Sequence, residues 1–410
     1  MKKKILYISY DGMTDFLGQS QVIPYLAGLS KKGFLISIIS AEKKENFINN
    51  KNNISNILNN AGISWYYIKY SKTPPIISTV WNIYKIKILA KKLQKRNKFD
   101  IVHCRSYIAA FIGEYLKRKF NIKFIFDMRG FWADERVEGG LWNINNIIYK
   151  KTYNFFKKKE ISFIKSANST ISLTEEGKKT IHNWKTFENH KPTIDVIPCC
   201  ADLKLFNPEN IISGKLEKIK NILNISKDDF IISYLGSIGT WYMLDEMLLF
   251  FKRLLITKKN AKFLFISGEN HEYIYKSAKK NNISTENILI YKAERQEVPI
   301  LLSLSKISMF FIKPVFSKKA SSPTKLAEIL GMGIPIVCNA NVGDINEIFS
   351  KEKIGELIYS FNIEEYDRII NNIEEIIKYD KNKIISLAKQ YFSLKNGMEK
   401  YFEVYQNTLK

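Results

Sequence analysis

The sequence predicts an α/β protein made of two doubly wound parallel sheets. Short apolar runs with strand character alternate with stretches of helical periodicity, which is typical of parallel strands covered by helices on both faces. This pattern runs from residues 4–9 to residues 194–198 and restarts at residues 229–237. Because 410 residues are enough for two domains of ordinary size, we expect one sheet in each domain.

The elements of the first series follow from local pattern. Continuous apolar runs predict buried strands, and apolar residues at helical spacing predict helices. The predicted strands are 4–9, 34–40, 99–104, 123–128, 169–174 and 194–198, and the predicted helices are 20–32, 79–97, 108–120 and 143–166. The Asn- and Lys-rich residues 41–60 are expected to form a mobile loop.

The second series repeats the alternation. Its predicted strands are 229–237, 262–268, 287–292, 307–313 and 334–340, and its predicted helices are 243–256, 324–330 and 382–409. We therefore expect domains at residues 1–197 and 198–385, followed by a C-terminal helix at 386–410. Because doubly wound sheets bind ligands at the carboxyl ends of their strands, the expected site is a cleft between the two sheets.

Positive charge is concentrated in the first half of the chain. The net charge is +24; residues 1–200 contain 34 Lys and Arg against 15 Asp and Glu, whereas the rest contains 30 against 25. A Lys-, Asn- and Ile-rich composition explains part of the total but not this asymmetry. The asymmetry predicts an anionic partner for the first half: a membrane surface, a lipid phosphate or a nucleic acid.

Several classes of protein are excluded by composition. The four cysteines contain no C-x-x-C pair and the four histidines are scattered, so we expect neither a disulfide framework nor a zinc site. No run approaches the roughly 18 apolar residues that span a bilayer, and the first apolar run is too short for a signal peptide. The expected location is the cytoplasm.

Residues 320–344 carry the strongest local signal. Ser321 or Ser322 can cap a short helix, and Pro323 suits its first position. Two glycines then end the helix after about two turns. We expect so short a helix to serve a ligand, because its N-terminus presents free N–H groups and a positive dipole end to an anion.

The side chains of this helix point to a nucleotide. Lys325 adds a full positive charge in the first turn, and Glu328 lies one turn later on the face that carries Thr324. The lysine can bind a phosphate, and the carboxylate can accept the two hydroxyl hydrogen bonds of a ribose. The alternative is an ordinary capped helix with an i,i+3 salt bridge.

Charged residues also follow the strand at 123–128. Asp127, Arg129 and Asp134 lie at or just beyond the end of this strand, where ligand sites of such sheets are found. The alternative is a salt-bridged surface loop. The loop after the first strand contains Gly12 and Gly18 but lacks the G-x-G-x-x-G spacing of a nicotinamide site, and a simple strand–helix turn is the alternative there.

Taken in order, these segments resemble GT-B glycosyltransferases of family 4. S-P-T-K-L-A-E at 322–328 is similar to the donor-binding segment of the subgroup with an S-P-T-K-x-x-E pattern, and G-Q-S-Q at 18–21 is similar to the glycine motif of the first loop. The resemblance covers nearly the whole chain. It implies two Rossmann-like domains facing each other across a cleft, and a C-terminal helix that crosses back to the first domain.

The resemblance also implies roles for individual residues. Glu328 matches the glutamate that holds the ribose hydroxyls, and Arg295 lies where family members approach the base. The residues implied to bind the donor are Gly18, Gln19, Ser237, Gly239, Arg295, Ser322, Thr324, Lys325 and Glu328.

The chain departs from the family pattern at three places. Ala320 stands where the first of two glutamates is usual, and the loop at 233–241 lacks the usual Arg and Lys, so that only backbone N–H and hydroxyl groups face the diphosphate there. Arg129 stands where many members keep a histidine. Arg129 can stabilise the leaving diphosphate but stays protonated, which makes Asp127 or Asp134 the better candidate base.

The resemblance implies transfer of a sugar from a nucleoside-diphosphate sugar to a glycan hydroxyl, with retention at the anomeric carbon. No cofactor is expected, and the absence of a D-x-D motif predicts no essential metal ion. The basic first domain predicts an acceptor on a lipid phosphate at the inner membrane face, as in surface-polysaccharide assembly. The alternatives are a nucleotide-sugar epimerase of the same architecture and a non-catalytic membrane-associated scaffold.

The predicted helix at 143–166 combines aromatic residues at helical spacing with six lysines. A basic amphipathic helix is typical of peripheral contact with an anionic membrane. The alternative is an aromatic stripe that faces the core, with solvated lysines outside. Because no nucleic-acid-binding module is recognisable, nucleic acid is not an expected partner.

Overall fold

The computed structural model describes residues 2–74, 76–268 and 271–410. Its contacts divide the chain into two compact units. The first unit extends to Cys199 and includes residues 319–321 and 394–410, and the second comprises residues 200–318 and 322–393. These boundaries lie at 199 and 393 instead of the expected 197 and 385. Ala201 and Ser393 form a parallel bridge inside the second unit, which explains why the unit begins and ends at these positions.

The described residues form strands and helices that alternate along the chain. The strands are β1 (Lys4–Ser9), β2 (Leu35–Glu42), β3 (Ser64–Lys69), β4 (Ile101–Arg105), β5 (Lys123–Asp127), β6 (Ser169–Ser172), β7 (Ile194–Val196), β8 (Phe230–Leu235), β9 (Ala261–Ile266), β10 (Ile288–Tyr291), β11 (Ile307–Phe310), β12 (Ile336–Asn339) and β13 (Gly355–Ile358).

The α-helices are α1 (Phe16–Gln21), α2 (Ile23–Lys31), α3 (Lys44–Asn60), α4 (Ile77–Asn97), α5 (Ser106–Phe120), α6 (Trp132–Glu138), α7 (Ile147–Ser166), α8 (Glu175–His182), α9 (Ser213–Ile222), α10 (Leu244–Thr257), α11 (His271–Lys280), α12 (Val298–Ser303), α13 (Thr324–Gly331), α14 (Ile345–Lys351), α15 (Ile363–Asn371), α16 (Ile373–Ile376), α17 (Lys381–Phe392) and α18 (Leu394–Leu409). Short 3₁₀ helices are present at Lys185–Phe187, Pro208–Asn210, Thr285–Asn287 and Phe316–Ala320.

Both sheets are parallel and share one strand order. The first unit has the order β3-β2-β1-β4-β5-β6-β7, and the second has β10-β9-β8-β11-β12-β13. In each sheet the first strand of the unit lies between its second and fourth strands; Ile5 of β1, for example, pairs with Ile36 and with Ile101. The strand order reverses at this point, which is where doubly wound sheets bind ligands. The predicted pair of doubly wound sheets is confirmed.

Helices cover both faces of the first sheet. Right-handed crossovers place α4, α5 and α7 on one face and α2 and α3 on the other. In agreement with this, α5 contacts both α4 and α7, whereas the C-terminal helix α18 packs beside α2. Tyr25 of α2 meets Tyr401 of α18 edge to face, with ring centroids 5.3 Å apart. The final helix therefore completes the first unit.

The expectation for residues 41–60 was wrong, and two strands were not predicted. Residues 41–60 do not form a mobile loop, because α3 (Lys44–Asn60) occupies most of this segment. Ile54 and Leu58, four residues apart, are fully buried and fix one face of that helix, although its many asparagines lower its intrinsic helix propensity. Strands β3 and β13 were not predicted. Strand β3 contains tryptophan and tyrosine instead of a continuous aliphatic run, and β13 is only four residues long.

The aromatic stripe of α7 faces the core of the first unit. Phe156 and Phe163 are buried, and Tyr153 is partly buried. The stripe therefore agrees with the core-facing alternative, and membrane contact of these aromatic residues is not supported. Among the described residues, no helix combines the length and apolar character needed to cross a bilayer.

Candidate functional site

The candidate site of the first unit is built around Asp127, the last residue of β5. Its carboxylate is fully buried. Tyr401 of α18 donates a hydrogen bond to Oδ2 over 3.1 Å, and His103 Nε2 lies 3.5 Å from the same oxygen. Arg129 Nη1 lies 3.8 Å from Oδ1, and Arg105 Nη1 lies 3.9 Å from Oδ2. We call these five residues the Asp127 cluster.

The charges of the Asp127 cluster keep its carboxylate ionised. Burial alone would raise the pKa of Asp127, but Arg129, His103 and Arg105 outweigh burial and lower the pKa to about 2. Burial lowers the pKa of His103, which therefore favours the neutral form in spite of Asp127. One carboxylate thus faces two permanently charged guanidinium groups, so the cluster carries net positive charge.

Arg129 is placed at the strand end by an unusual backbone. Its φ is +62°, and the following Gly130 has φ +124°. Its guanidinium donates to Cys199 Sγ over 3.2 Å. Because Asp127 has a low pKa and is buried, it is a weak proton acceptor. Its position suits it to hold the two arginines in place and not to act as a base. The catalytic roles predicted for Asp127 and Arg129 stay predictions.

The structure does not bring Asp134 into the Asp127 cluster. Asp134 lies in α6, where its carboxylate accepts hydrogen bonds from Lys157 over 2.8 Å and from Tyr153 over 2.9 Å. Lys157 also binds Glu160 over 2.5 Å, so the network ties α6 to α7. This arrangement fits the salt-bridge alternative for Asp134 better than a role as base.

The loop after β1 is held by a residue that was not predicted. Glu42, at the end of β2, accepts the backbone N–H groups of Met13 over 2.7 Å and of Thr14 over 3.2 Å. Gly18 packs so tightly on this loop that a Cβ there would lie 2.6 Å from the Cα of Met13. Gln19 donates its amide to the carbonyl of Thr14 over 3.0 Å. Gly18 and Gln19 therefore shape the loop, and their contact with a donor stays a prediction.

The candidate site of the second unit contains α13, the short helix predicted at 324–330. Pro323 occupies the N-cap position, not the first helical position. Neither Ser321 nor Ser322 is therefore the N-cap residue. Thr324 begins the helix and is partly buried. The first turn of a helix presents backbone N–H groups and a positive dipole end, which suits an anion site.

Lys325 is buried in an aromatic environment. Its Nζ donates to the hydroxyl of Tyr234 over 3.0 Å and lies 3.6 Å from the ring centroid of Tyr242. Burial lowers the pKa of Lys325 well below its ordinary value, and Glu328 offsets this only in part. A Cβ at Gly236, which follows β8 with φ +110°, would lie 3.2 Å from Nζ. The glycine therefore lets the turn after β8 approach the ammonium group.

Glu328 is paired with Arg295 in the second unit. Arg295 Nη1 lies 2.5 Å from Glu328 Oε1, and its guanidinium lies 4.8 Å from the ring centroid of Phe206. Burial raises the pKa of Glu328, and the charge of Arg295 opposes that rise. Two predicted donor-binding residues are thus in direct contact, although both were expected to contact the ligand and not each other.

The remaining predicted donor residues lie in the loop after β8. Ser237 and Gly239 are exposed, and the carbonyl of Ser237 accepts a hydrogen bond from Tyr234 over 2.6 Å. Tyr234 thereby connects this loop to Lys325. Ala320, which stands in place of the usual first glutamate, is buried in the first unit, where a Cβ added at Gly177 would lie 2.9 Å from its own Cβ. The absence of a Cβ at Gly177 therefore leaves space for the side chain of Ala320.

Several residues of both sites escaped the sequence analysis. His103, Arg105 and Glu42 are polar residues inside or at the end of otherwise apolar strands, and that was the available signal. Tyr401 lies on the C-terminal helix, far away in sequence, and no local pattern connects it to Asp127. Among the described residues, no group of three or more His, Cys, Asp or Glu side chains is arranged to hold a metal ion.

Comparison with known proteins finds a family match within the second unit. Residues 215–389, less than half of the chain, match the family described as "Glycosyl transferases group 1". None of the curated proteins matches the chain in sequence. The match confirms the prediction that the chain is a glycosyltransferase. The narrower assignment to family 4 and its S-P-T-K-x-x-E subgroup stays a prediction.

Solved structures of the same architecture cover the whole chain. A glycosyltransferase from Rickettsia africae has a TM-score of 0.71 and 18% identity, with coverage of 100% of this chain and 99% of that one. Sucrose-phosphate synthase from Thermosynechococcus elongatus has a TM-score of 0.73 and 13% identity, with 98% of each chain covered. Anabaena HepE, solved in complex with UDP-glucose, has a TM-score of 0.69 and 11% identity, with 98% and 99% covered. At these identities the likeness establishes the GT-B fold with two Rossmann-like domains.

Proposed function

We propose that the protein transfers a sugar from a nucleoside-diphosphate sugar, bound by the second unit, to a hydroxyl of a glycan acceptor. The observation that carries this proposal is the buried ammonium group of Lys325. It lies in the first turn of α13 against the glycine turn after β8, in an aromatic environment where Glu328 is, among the described residues, the carboxylate whose charge acts on it. A diphosphate is the ligand that this combination of amides and positive charge suits.

The rest of the second unit is consistent with a nucleotide. β8 and β11 flank the point at which the strand order reverses, and ligands of such sheets bind beside that point. The carboxylate of Glu328 can bind ribose hydroxyls when its pairing with Arg295 loosens. Anabaena HepE, which has the same fold, was solved with UDP-glucose. These observations support a UDP-sugar or a related donor.

The chemistry proposed for the site is electrostatic. As the bond between the anomeric carbon and the diphosphate breaks, negative charge grows on the leaving diphosphate. The acceptor hydroxyl oxygen bonds to the anomeric carbon, and its proton passes to the leaving diphosphate. The amides of α13 and the ammonium of Lys325 would stabilise that charge without a metal ion. Arg129 would add positive charge on the acceptor side. We propose retention at the anomeric carbon, as the family resemblance implies.

We propose that the acceptor is lipid-linked and that the protein works at the inner face of the membrane in surface-polysaccharide assembly. The support is the excess of basic residues in the first 200 positions, because an acceptor on a lipid phosphate and the surrounding headgroups are both anionic.

A thermal-shift screen of nucleoside diphosphates tests donor binding. A ligand present at about 100 times its dissociation constant stabilises its target by roughly 2.7 kcal/mol, so the cognate diphosphate should raise the melting temperature clearly. The matching nucleotide sugar should then release nucleoside diphosphate slowly in water and faster with a glycan acceptor. A shift with no nucleotide would favour the scaffold, and conversion of the sugar to an epimer without acceptor would favour the epimerase.

A further inference from the structure

The outward face of α4 is apolar. Five large apolar side chains at helical spacing are each at least half exposed on this face: Ile77, Val80, Trp81, Tyr84 and Ile88. The buried face of the same helix carries Ser78 and Asn82 in its first two turns and apolar residues such as Ile86 and Leu93 farther along. Trp81 and Tyr84 stack on each other with ring centroids 5.6 Å apart. A stripe of this length exposed on a surface marks an interaction site.

The charge around the stripe has one sign. Residues 46–99 contain ten Lys and Arg and no Asp or Glu. Lys92 and Lys95 are exposed and continue the outward face of α4 beyond Ile88, and Lys91 lies beside them. A helix with aromatic and aliphatic side chains followed by lysines on the same face is typical of helices that lie in a membrane interface.

The apolar surface continues onto the neighbouring helices. A groove of about 240 Å³ separates α4, α5 and α7, and Phe111 and Lys87 are among its lining residues. Phe111 stacks on the half-exposed Phe155 of α7, with ring centroids 5.9 Å apart. The only carboxylate in the lining of this groove, Glu114, already binds Lys159 over 2.8 Å. The groove thus presents no net negative charge.

The sheet topology shows at which edge of the first sheet this surface begins. In a parallel sheet the helices run opposite to the strands, so α4, α5 and α7 begin at the edge formed by the carboxyl ends of the strands. Ile77 and Trp81 lie in the first two turns of α4, and therefore near the edge at which Asp127 and Arg129 also lie. A membrane in contact with the start of α4 would lie close to the candidate site of the first unit.

We propose that the outward face of α4 is a docking surface for an anionic lipid bilayer. Ile77, Trp81 and Tyr84 enter the headgroup region, and the lysines of the following turns bind lipid phosphates. This places membrane contact on α4 instead of on the aromatic stripe of α7. The inference rests on the membrane-facing role proposed above and names the surface that performs it.

Co-sedimentation with vesicles tests the apolar part of the surface. The purified full chain should bind equimolar phosphatidylcholine–phosphatidylglycerol vesicles, and Trp81→Ser/Tyr84→Ser should weaken binding by about tenfold or more, because two interfacial side chains are lost. The matched control is Ile256→Ser/Ile363→Ser, which removes two equally exposed apolar side chains from the second unit and should bind as the wild type does.

A second pair of variants tests the charge. Lys91→Gln/Lys92→Gln/Lys95→Gln should weaken binding on the order of 100-fold, from about 1 kcal/mol for each lysine near an anionic surface. The control Lys276→Gln/Lys279→Gln/Lys280→Gln removes the same charge from α11 and should retain most of the affinity. Neutral phosphatidylcholine vesicles should bind much more weakly than the anionic ones.

Three results would overturn the inference. The first is a wild type that does not bind anionic vesicles, and the second is equal binding by the α4 variants and their controls. The third is a dimer in solution that Trp81→Ser/Tyr84→Ser dissociates, since the stripe would then contact a second copy of the chain. Nucleotide binding by the α4 variants should stay unchanged, so failure of the proposed donor site is recognised separately.

Discussion

The two units place opposite charges at the edge of the sheet formed by the carboxyl ends of the strands. In the first unit a buried carboxylate, Asp127, is surrounded by two arginines and a histidine. In the second unit a buried ammonium, Lys325, is surrounded mainly by aromatic rings. The first arrangement contains its own counter-charges. In the second, the charge that acts on Lys325 within the described part of the chain is that of Glu328, which is already paired with Arg295.

This difference indicates what each unit contributes. A buried charge without a close partner costs stability, and proteins keep such a charge where a ligand supplies the partner. The second unit therefore has the features of an anion site whose counter-charge arrives with the ligand. The first unit has a preassembled cluster that holds Arg129 and Arg105 in place before any ligand binds.

The largest expected effect is the loss of the carboxylate from the first cluster. Asp127→Asn would leave Arg129 buried without an ionised partner among the described residues, whereas Arg105 keeps Asp11 at 3.5 Å. The change should destabilise the first unit by about 3–5 kcal/mol. Urea unfolding followed by a probe in the first unit measures this change. Asp228→Asn, at an exposed position, is the control and should change stability by less than about 0.5 kcal/mol. Equal stability of the two variants would contradict the account.

The next effect, in the second unit, has the opposite sign. Lys325→Met keeps most of the length of the side chain and removes its charge, so the unliganded second unit should become more stable by about 1–4 kcal/mol. Because the folded-state pKa of Lys325 is lowered, the unfolded state binds more protons between the two pKa values, and stability should rise with pH in that window. The variant should lack this slope, as unfolding at several pH values would show.

The smallest effect concerns the C-terminal helix. Tyr401→Phe removes one hydrogen bond to the ionised Asp127, which should cost about 1.5 kcal/mol. The pKa of Asp127 should also rise from about 2. Since this depressed pKa contributes stability above the unfolded-state value and loses it as pH falls, acid unfolding of the first unit should begin at a higher pH. Tyr359→Phe, at an exposed position in the second unit, should leave that pH unchanged.

The fold was predictable because apolar runs alternate with stretches of helical periodicity along the chain. Tertiary contacts preserved most of the elements that this pattern predicted. The strands around residues 4–9, 99–104 and 229–237 are predominantly apolar, and both sheets contain them close to the predicted bounds. The segment at 41–60 failed because asparagine content suggested a loop, whereas two buried residues, Ile54 and Leu58, fix a helix. Packing across the unit is not visible in local composition.

The sites were predictable only as far as they are local. Lys325 and Glu328 lie within one helix, so their spacing alone indicated an anion and a hydroxyl ligand. Arg295 and Glu328 are paired although they lie 33 positions apart in sequence, and Tyr401 and Asp127 are 274 positions apart. No local motif indicates such contacts. Asp134 illustrates the same limit, because its partner Lys157 comes from the following helix.

Calorimetric titration of the cognate nucleoside diphosphate into the wild type and Lys325→Met tests the central claim most directly. If the ammonium group supplies the counter-charge of the diphosphate, the variant should bind about 10- to 100-fold more weakly. The wild type should also take up protons on binding, because the bound anion raises the pKa of the lysine. The same affinity and the same proton uptake in both proteins would contradict the account.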